Sequence, residues 1–327
     1  MELTTDKEAA KARLLVQTLQ NTDSPTAVDD VLGSRRRPSI SSSAGILQLR
    51  ERKNQHSAFH IAVRKGHLDV LRALAKLPRA DEHVNAGDRH ANTALHFAAS
   101  STKENAAEMV ELLFSLGANA YAVNVRGQTP LAIHILTTRV DSPVITRLFL
   151  KKERLTGEAL VASPTGRRGT YLALNELVNG KTYLHMAVER ELTEIASALV
   201  AADACVNIPD ERGMAVSEIV PRKTLVKLIC HMNEGAQAAP PDIVRAHCKL
   251  CAKSPKGLLE SLRDCNLCGR AVCKLCSKKA AEVRAESVKE KTAGRLCNVC
   301  CTVLQLRDQK NRQRVGFTQK LMGMDIH

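Results

Sequence analysis

The chain has 327 residues, 44% of them hydrophobic and 25% charged, which excludes a fibre, a disordered tail and a disulfide-stapled mini-protein and leaves room for two or three domains. Aromatic residues make up only 2%, with no Trp, so a core has to be assembled from Ala, Leu and Val, a bias that favours stacked helices. The net charge of +14 is concentrated at the end: residues 245–327 hold 18 Lys and Arg against 7 Asp and Glu, leaving 30 against 27 before them, so an acidic partner is to be sought in the last quarter.

The N-terminal MELTTDKEAAKARLLVQ lacks the continuous apolar run of a secretory signal, and nothing later approaches about 18 apolar residues in a row. The expectation is a cytoplasmic protein without a transmembrane segment, at most peripheral on a membrane. In a reducing compartment the eleven cysteines read as metal ligands or buried thiols rather than disulfides. Residues 1–53 carry a short helical pattern (Leu14, Leu15, Val16, Leu19) and then a basic, Ser-rich linker at 35–43. Arg36, Arg37 and Pro38 before Ser39 resemble a site for basophilic kinases, which makes Ser39 a candidate for phosphorylation; the alternative is a plain solvated linker.

From residue 54 to 235 the sequence repeats. Ser57-Ala58-Phe59-His60-Ile61-Ala62, Thr93-Ala94-Leu95-His96-Phe97-Ala98, Thr129-Pro130-Leu131-Ala132-Ile133 and Thr182-Tyr183-Leu184-His185-Met186-Ala187 share one opening, and a fainter fifth begins at Ala215. Their spacings of 36, 36, 53 and 33 residues fit a unit of about 33 with one long insertion, placed near 155–179. Ser or Thr can cap a first helix, Pro130 suits its first turn, and Gly117 can end a second helix in the left-handed conformation.

These openings, with the closing Gly117-Ala118-Asn119 and Ala204-Cys205-Val206-Asn207, resemble the ankyrin repeat. The resemblance implies antiparallel helix pairs stacked in a solenoid, a groove for a protein partner and no chemistry of its own. It also implies that His60, His96 and His185 tie neighbouring repeats together rather than serve as ligands or bases. Gly166-Arg167-Arg168-Gly169 in the insertion is either a partner-binding loop or a surface excursion.

After a linker at 236–244, residues 245–303 contain four Cys-x-x-Cys pairs: Cys248/Cys251, Cys265/Cys268, Cys273/Cys276 and Cys297/Cys300. This spacing lets two thiolates grip one tetrahedral zinc, so the four pairs suffice for two closed all-thiolate sites, structural rather than catalytic. With so few apolar residues the segment needs metal to fold. Pro241-Asp242, the run from Cys265 to Ser277, and Arg295-Leu296-Cys297 resemble the FYVE-type zinc finger, a phosphoinositide-binding module. The resemblance implies a cross-brace in which Cys248, Cys251, Cys273 and Cys276 hold the first zinc and Cys265, Cys268, Cys297 and Cys300 the second.

The chain departs from that family where lipid is read. Ala239 stands in place of its Trp, and the basic Arg-Arg-His-His-Cys-Arg signature is missing, leaving Arg263, Arg270, Lys274 and Arg295 near the implied phosphate pocket. Leu258 and Leu259, preceded by Lys253 and Lys256, either dip into a bilayer or pack on the zinc core. Residues 304–327 read as a basic C-terminal helix.

The fold expected is therefore mostly α: an ankyrin solenoid, a small two-zinc cross-braced finger and a terminal helix. The expected function is a non-enzymatic adaptor with a protein partner in the ankyrin groove and an anionic, phosphoinositide-containing endosomal membrane or a protein on the finger. A RING-like E3 ubiquitin ligase is one alternative, although the middle ligands lack the His usual in a RING. A nucleic-acid-binding zinc protein is another; the chain lacks a mixed Cys and His finger and aromatic platforms for bases, so no nucleic acid is expected.

Overall fold

The computed structural model describes residues 14, 17–18, 21–24, 47–51, 53–156, 173–232, 246–255, 261–283 and 294–321, without the side chains of 152–156 and 315–321. Ser39, the linker at 236–244 with its Pro-Asp, Lys256, Leu258, Leu259, Gly166-Arg167-Arg168-Gly169 and the tail beyond 321 lie outside the described residues, as do Leu15, Val16 and Leu19. The chain divides into two compact units, Met1–Thr170 and Tyr171–His327, with the break inside the predicted insertion.

In the first unit, helices come in pairs. They are α1 (Ala58–Lys65) with α2 (Leu68–Ala75), the one-turn α3 (Ala80–His83), α4 (Ala94–Ala99) with α5 (Ala106–Ser115), and α6 (Pro130–Thr137) with α7 (Val144–Thr156). The opening motifs explain where the first helix of each pair starts. Ser57 Oγ accepts the His60 amide, Thr129 Oγ1 accepts the Ala132 amide, and Pro130 occupies the first turn, where no backbone donor is required. The second helix of a pair stops where Gly117 turns to φ +83°, its amide reaching back to Phe114 O and that of Ala118 to Leu113 O. Ala94, Ala98 and Ala99 are buried, so α4 approaches both α1 and α6 closely. Val70, Leu71, Leu74, Met109, Val110 and Leu113 fill the layer between the second helices, while Leu112 is only half-buried. Phe114 and Phe149 meet edge to face at 5.1 Å, one of few aromatic contacts that so Phe-poor a core can make.

Histidine fastens each pair to the next. His60 Nδ1 accepts the Ser57 amide at 3.1 Å, which leaves Nε2 protonated to donate to Asn92 O at 2.8 Å, 32 residues on. His96 repeats this with the Thr93 amide (3.0 Å) and Gln128 O (3.1 Å). The connecting turns are stacked as well. Asp88 Oδ1 accepts the amides of His90 and Asn92, Asn124 Oδ1 accepts those of Arg126 and Gln128, and Val125 N donates to His90 O.

The second unit continues the scheme. Helix α8 (Tyr183–Glu189) pairs with α9 (Thr193–Ala201), and His185 Nε2 donates to Met214 O at 2.9 Å. Asp203, at φ +71°, takes the role Gly117 has in the first unit. The worn last repeat is α10 (Val216–Ile219) and α11 (Arg222–Cys230), with Leu225, Leu228 and Ile229 buried. Two antiparallel ladders follow, β1 (Arg263–Asp264) with β2 (Ala271–Val272) and β3 (Ser277–Lys279) with β4 (Arg295–Cys297). Helix α12 (Asn298–Leu321) begins six residues before the predicted tail helix and packs on α11.

Burial pushes the His60 imidazole down from 6.5 to about 4, although its bond to Asn92 works the other way, and burial lowers His96 and His134 in the same direction. The unfolded chain thus takes up these protons at a higher pH than the folded one. The contribution of His60 is complete above pH 6.5 and falls away as pH drops from 6.5 to 4, by about 3 kcal/mol. Urea midpoints measured across this window should decline on acidification, and more gently in His60→Gln.

Candidate metal centre

Each ladder delivers cysteines to a fixed place. The β1–β2 hairpin turns through Cys265 and Cys268, with Gly269 at φ +72° closing the knuckle and Cys265 N donating to Arg270 O. Strand β4 lies beside this hairpin through a parallel bridge between Cys265 and Arg295, and brings in Cys297. A Cβ on Gly294, at φ +121°, would run into the Asn266 amide, so the approach of β4 requires glycine there. The Cys248/Cys251 knuckle is held to β2 by the bond from Lys249 N to Ala271 O, at 2.9 Å, and faces Cys273 and Cys276.

The Sγ atoms of Cys248, Cys251, Cys273 and Cys276 lie within 4.8 Å of one another, and so do those of Cys265, Cys268, Cys297 and Cys300. These are the two sets that the cross-brace implies. Bonds of about 2.3 Å to a tetrahedral zinc place sulfurs about 3.8 Å apart. Cys251 and Cys273 are separated by 3.8 Å, and Cys268 and Cys297 by 3.9 Å. A disulfide needs about 2 Å, and all eleven cysteines are free thiols. The donor set therefore fits two four-coordinate metal ions, consistent with zinc.

Local donors favour ionised sulfur at Cys248 and Cys268, whereas burial raises Cys276 and bonds with neighbouring cysteines raise Cys300. Burial opposes the Cys248 thiolate, but backbone bonds from Cys273, Leu250 and Cys251 bring its pKa down to about 6. Cys268 is held well below the ordinary thiol range by bonds with Cys265, Cys297 and Cys300, with Arg270 adding its charge. Cys297 Sγ accepts the Cys300 amide at 3.4 Å and so caps the N-terminus of α12, although bonds with Cys265 and Cys268 raise the Cys297 thiol above the ordinary range. Two further cysteines are buried outside the tetrads, Cys205 and Cys301, while Cys230 is half-buried.

The predicted lipid-contacting residues separate. Arg263 and Arg295 line one open cleft with Asp264, Asn266 and Lys279, and Lys253 and Lys274 are exposed. Arg295 is already engaged, donating to Ser277 Oγ (2.7 Å), Ser277 O (2.9 Å) and Lys274 O (3.3 Å). Arg270 corrects the sequence reading: it is 2% exposed, and its guanidinium points at the sulfurs of Cys268 and Cys297 rather than at a surface where a lipid phosphate could reach.

Three further contacts, absent from the sequence reading, join the cysteine module to the last repeats. Asn207, fixed by Ser217 Oγ, donates to Cys268 O; Lys249 pairs with Glu218 at 2.6 Å; and Arg307 of α12 donates to the carbonyls of Ile229, Cys230 and Met232 at 2.6–3.2 Å. Arg307 thereby satisfies the carbonyl end of α11. Its place was open to inference, since it lies four residues after the buried Val303 on the same face of α12.

The ankyrin-repeat family matches this chain twice, as three copies over residues 15–124 and as a single repeat over 179–211. The chain carries ankyrin repeats, and the first match begins ahead of the first opening motif. It is 28% identical over 134 residues to zinc finger CCCH domain-containing protein 56 of Arabidopsis thaliana, covering 40% of this chain and 19% of that protein. It is 31% identical over 99 residues to human NF-kappa-B inhibitor zeta, covering 30% and 13%, and 24% identical over 197 residues to human Rabankyrin-5, covering 60% and 15%. The chain thus spans less than a fifth of the length of these curated relatives. The repeat opening at Thr129 lies outside both family matches yet shows the same capped helix.

Cys268→Ser should reduce bound zinc from two ions per chain to one by elemental analysis. Arg307→Met should lower the stability of the second unit by about 1–3 kcal/mol, because buried carbonyls lose their donor, as read from denaturant unfolding.

Proposed function

We propose that this protein is a non-enzymatic adaptor. Its ankyrin repeats hold a protein partner, and a FYVE-like module with two structural zinc ions docks it on an anionic surface, the cytoplasmic face of an endosomal membrane being the surface that the module's family resemblance suggests. The observation that carries the protein-binding half is the turn after α5, where Tyr121, Val123 and Val125 are 38%, 56% and 66% exposed. Asn124 and the bond from Val125 to His90 O pin the backbone of this turn, so the valines are presented by a rigid frame. Apolar side chains presented in this way lose little entropy on being covered by a partner. The name of NF-kappa-B inhibitor zeta describes action on another protein, which is in keeping with a binding role for the shared repeats.

Docking by the module is driven by charge rather than by stereospecific recognition of a headgroup. Arg270 is buried, Arg295 already serves three acceptors, and Asp264 lines the same cleft, which leaves Arg263 and Lys279 as the exposed cations there. Together with Lys253, Lys274 and Lys278 these cations supply about 1 kcal/mol each near an anionic membrane.

Val123→Asp combined with Val125→Asp should abolish crosslinks that the wild-type chain forms to a partner in cell extract while leaving its thermal unfolding unchanged; crosslinks that persist in the double variant refute this use of the turn. In co-sedimentation, vesicles of phosphatidylserine and of each phosphoinositide matched for surface charge should bind alike, and added salt should release them as it screens the charges. Binding confined to phosphatidylinositol 3-phosphate and lost in Arg295→Ala would overturn the charge-driven reading.

A further inference from the structure

The two sulfur tetrads are built in different surroundings. Cys265, Cys268, Cys297 and Cys300 are all buried, at 1% exposure or less, whereas in the first tetrad Cys251, Cys273 and Cys276 are half-buried and water can share the load. Four thiolates around a divalent ion leave a net charge of about −2, which costs several kcal/mol inside a protein unless it is answered locally. Arg270 lies two residues beyond Cys268, carried inward by the turn at Gly269. Its Nε donates to Cys268 Sγ at 3.2 Å and its Nη2 to Cys297 Sγ at 3.5 Å. Its Nη1 is buried without a hydrogen-bond partner. A buried arginine with one nitrogen unsatisfied persists only where its remaining contacts outweigh that cost, and here those contacts are the sulfurs. No Lys or Arg donates to a sulfur of the first tetrad among the described residues.

We propose that Arg270 is a positioning residue for the metal in the second tetrad: it answers one of the two excess charges and fixes the sulfurs of one Cys from each contributing knuckle, so that this site releases its ion more slowly than its ligands alone would allow. The inference rests on the reading of the tetrads as zinc sites. Lys cannot replace Arg fully, because an ammonium is a point charge and lacks the planar fork that serves two sulfurs at once.

The test uses the full chain loaded with zinc and, in parallel, with cobalt, and follows metal transfer to a chromogenic chelator. Wild type should release two ions per chain. In Arg270→Met one ion should leave about 10–100-fold faster and the other at the wild-type rate, with the cobalt–thiolate charge-transfer band of one site altered; Arg270→Lys should fall between. Wild-type release and spectrum in Arg270→Met, or equal acceleration of both ions, would overturn the proposal. Should Arg270→Met fail to fold, Arg270→Lys decides alone: selective acceleration of one ion supports the role and unchanged release refutes it. A wild-type chain that binds no stoichiometric metal overturns the zinc reading itself, and with it the role of Arg270.

Discussion

Eight sulfurs gathered into two clusters, each with its atoms within 4.8 Å of one another, set the conditions for everything around them. Sulfur atoms at van der Waals spacing attract one another weakly, and as thiolates they repel, so the arrangement calls for a cation at each centre. The ladders on either side are two or three residues long, too short to stand alone. Their order therefore depends on the sulfurs, and the sulfurs depend on a charge of opposite sign. Arg270, the Cys300 amide and the dipole of α12 all act toward the second cluster in the same sense.

The repeats solve a different problem with a different device. A core almost without aromatic rings gains area only by close approach of Ala-rich helices, and close approach demands register. Register is supplied by His60, His96 and His185, each of which accepts from or pairs with its own cap and reaches the backbone of the following turn. Burial lowers His60 and His96 toward neutrality, and this makes the array sensitive to acid in a way that a purely apolar contact would not be.

The helix starts were legible because capping is local: Ser57, Thr93, Thr129 and Thr182 precede their helices in the structure as they do in the pattern. The division of cysteines into two sets was legible only through family resemblance, since spacing alone permits other combinations of four pairs. Arg270 was misread because a cation beside a cysteine looks solvated until the inward face of the β1–β2 hairpin is known. Asn207 and Glu218 could not be linked to the cysteine module from sequence at all, since 61 residues separate Asn207 from Cys268 and 31 separate Glu218 from Lys249. Such pairs are decided by tertiary packing, to which local patterns are blind.

The grip of Arg307 on the end of α11 bears on how this molecule can be divided. A fragment that stops at Met232 keeps the last repeat but bares the carbonyls of Ile229, Cys230 and Met232, and it loses the helix that packs on α11. The natural seam for dissection is thus not between repeats and cysteines, where composition changes, but upstream in the stretch around Thr170, where one compact unit gives way to the next.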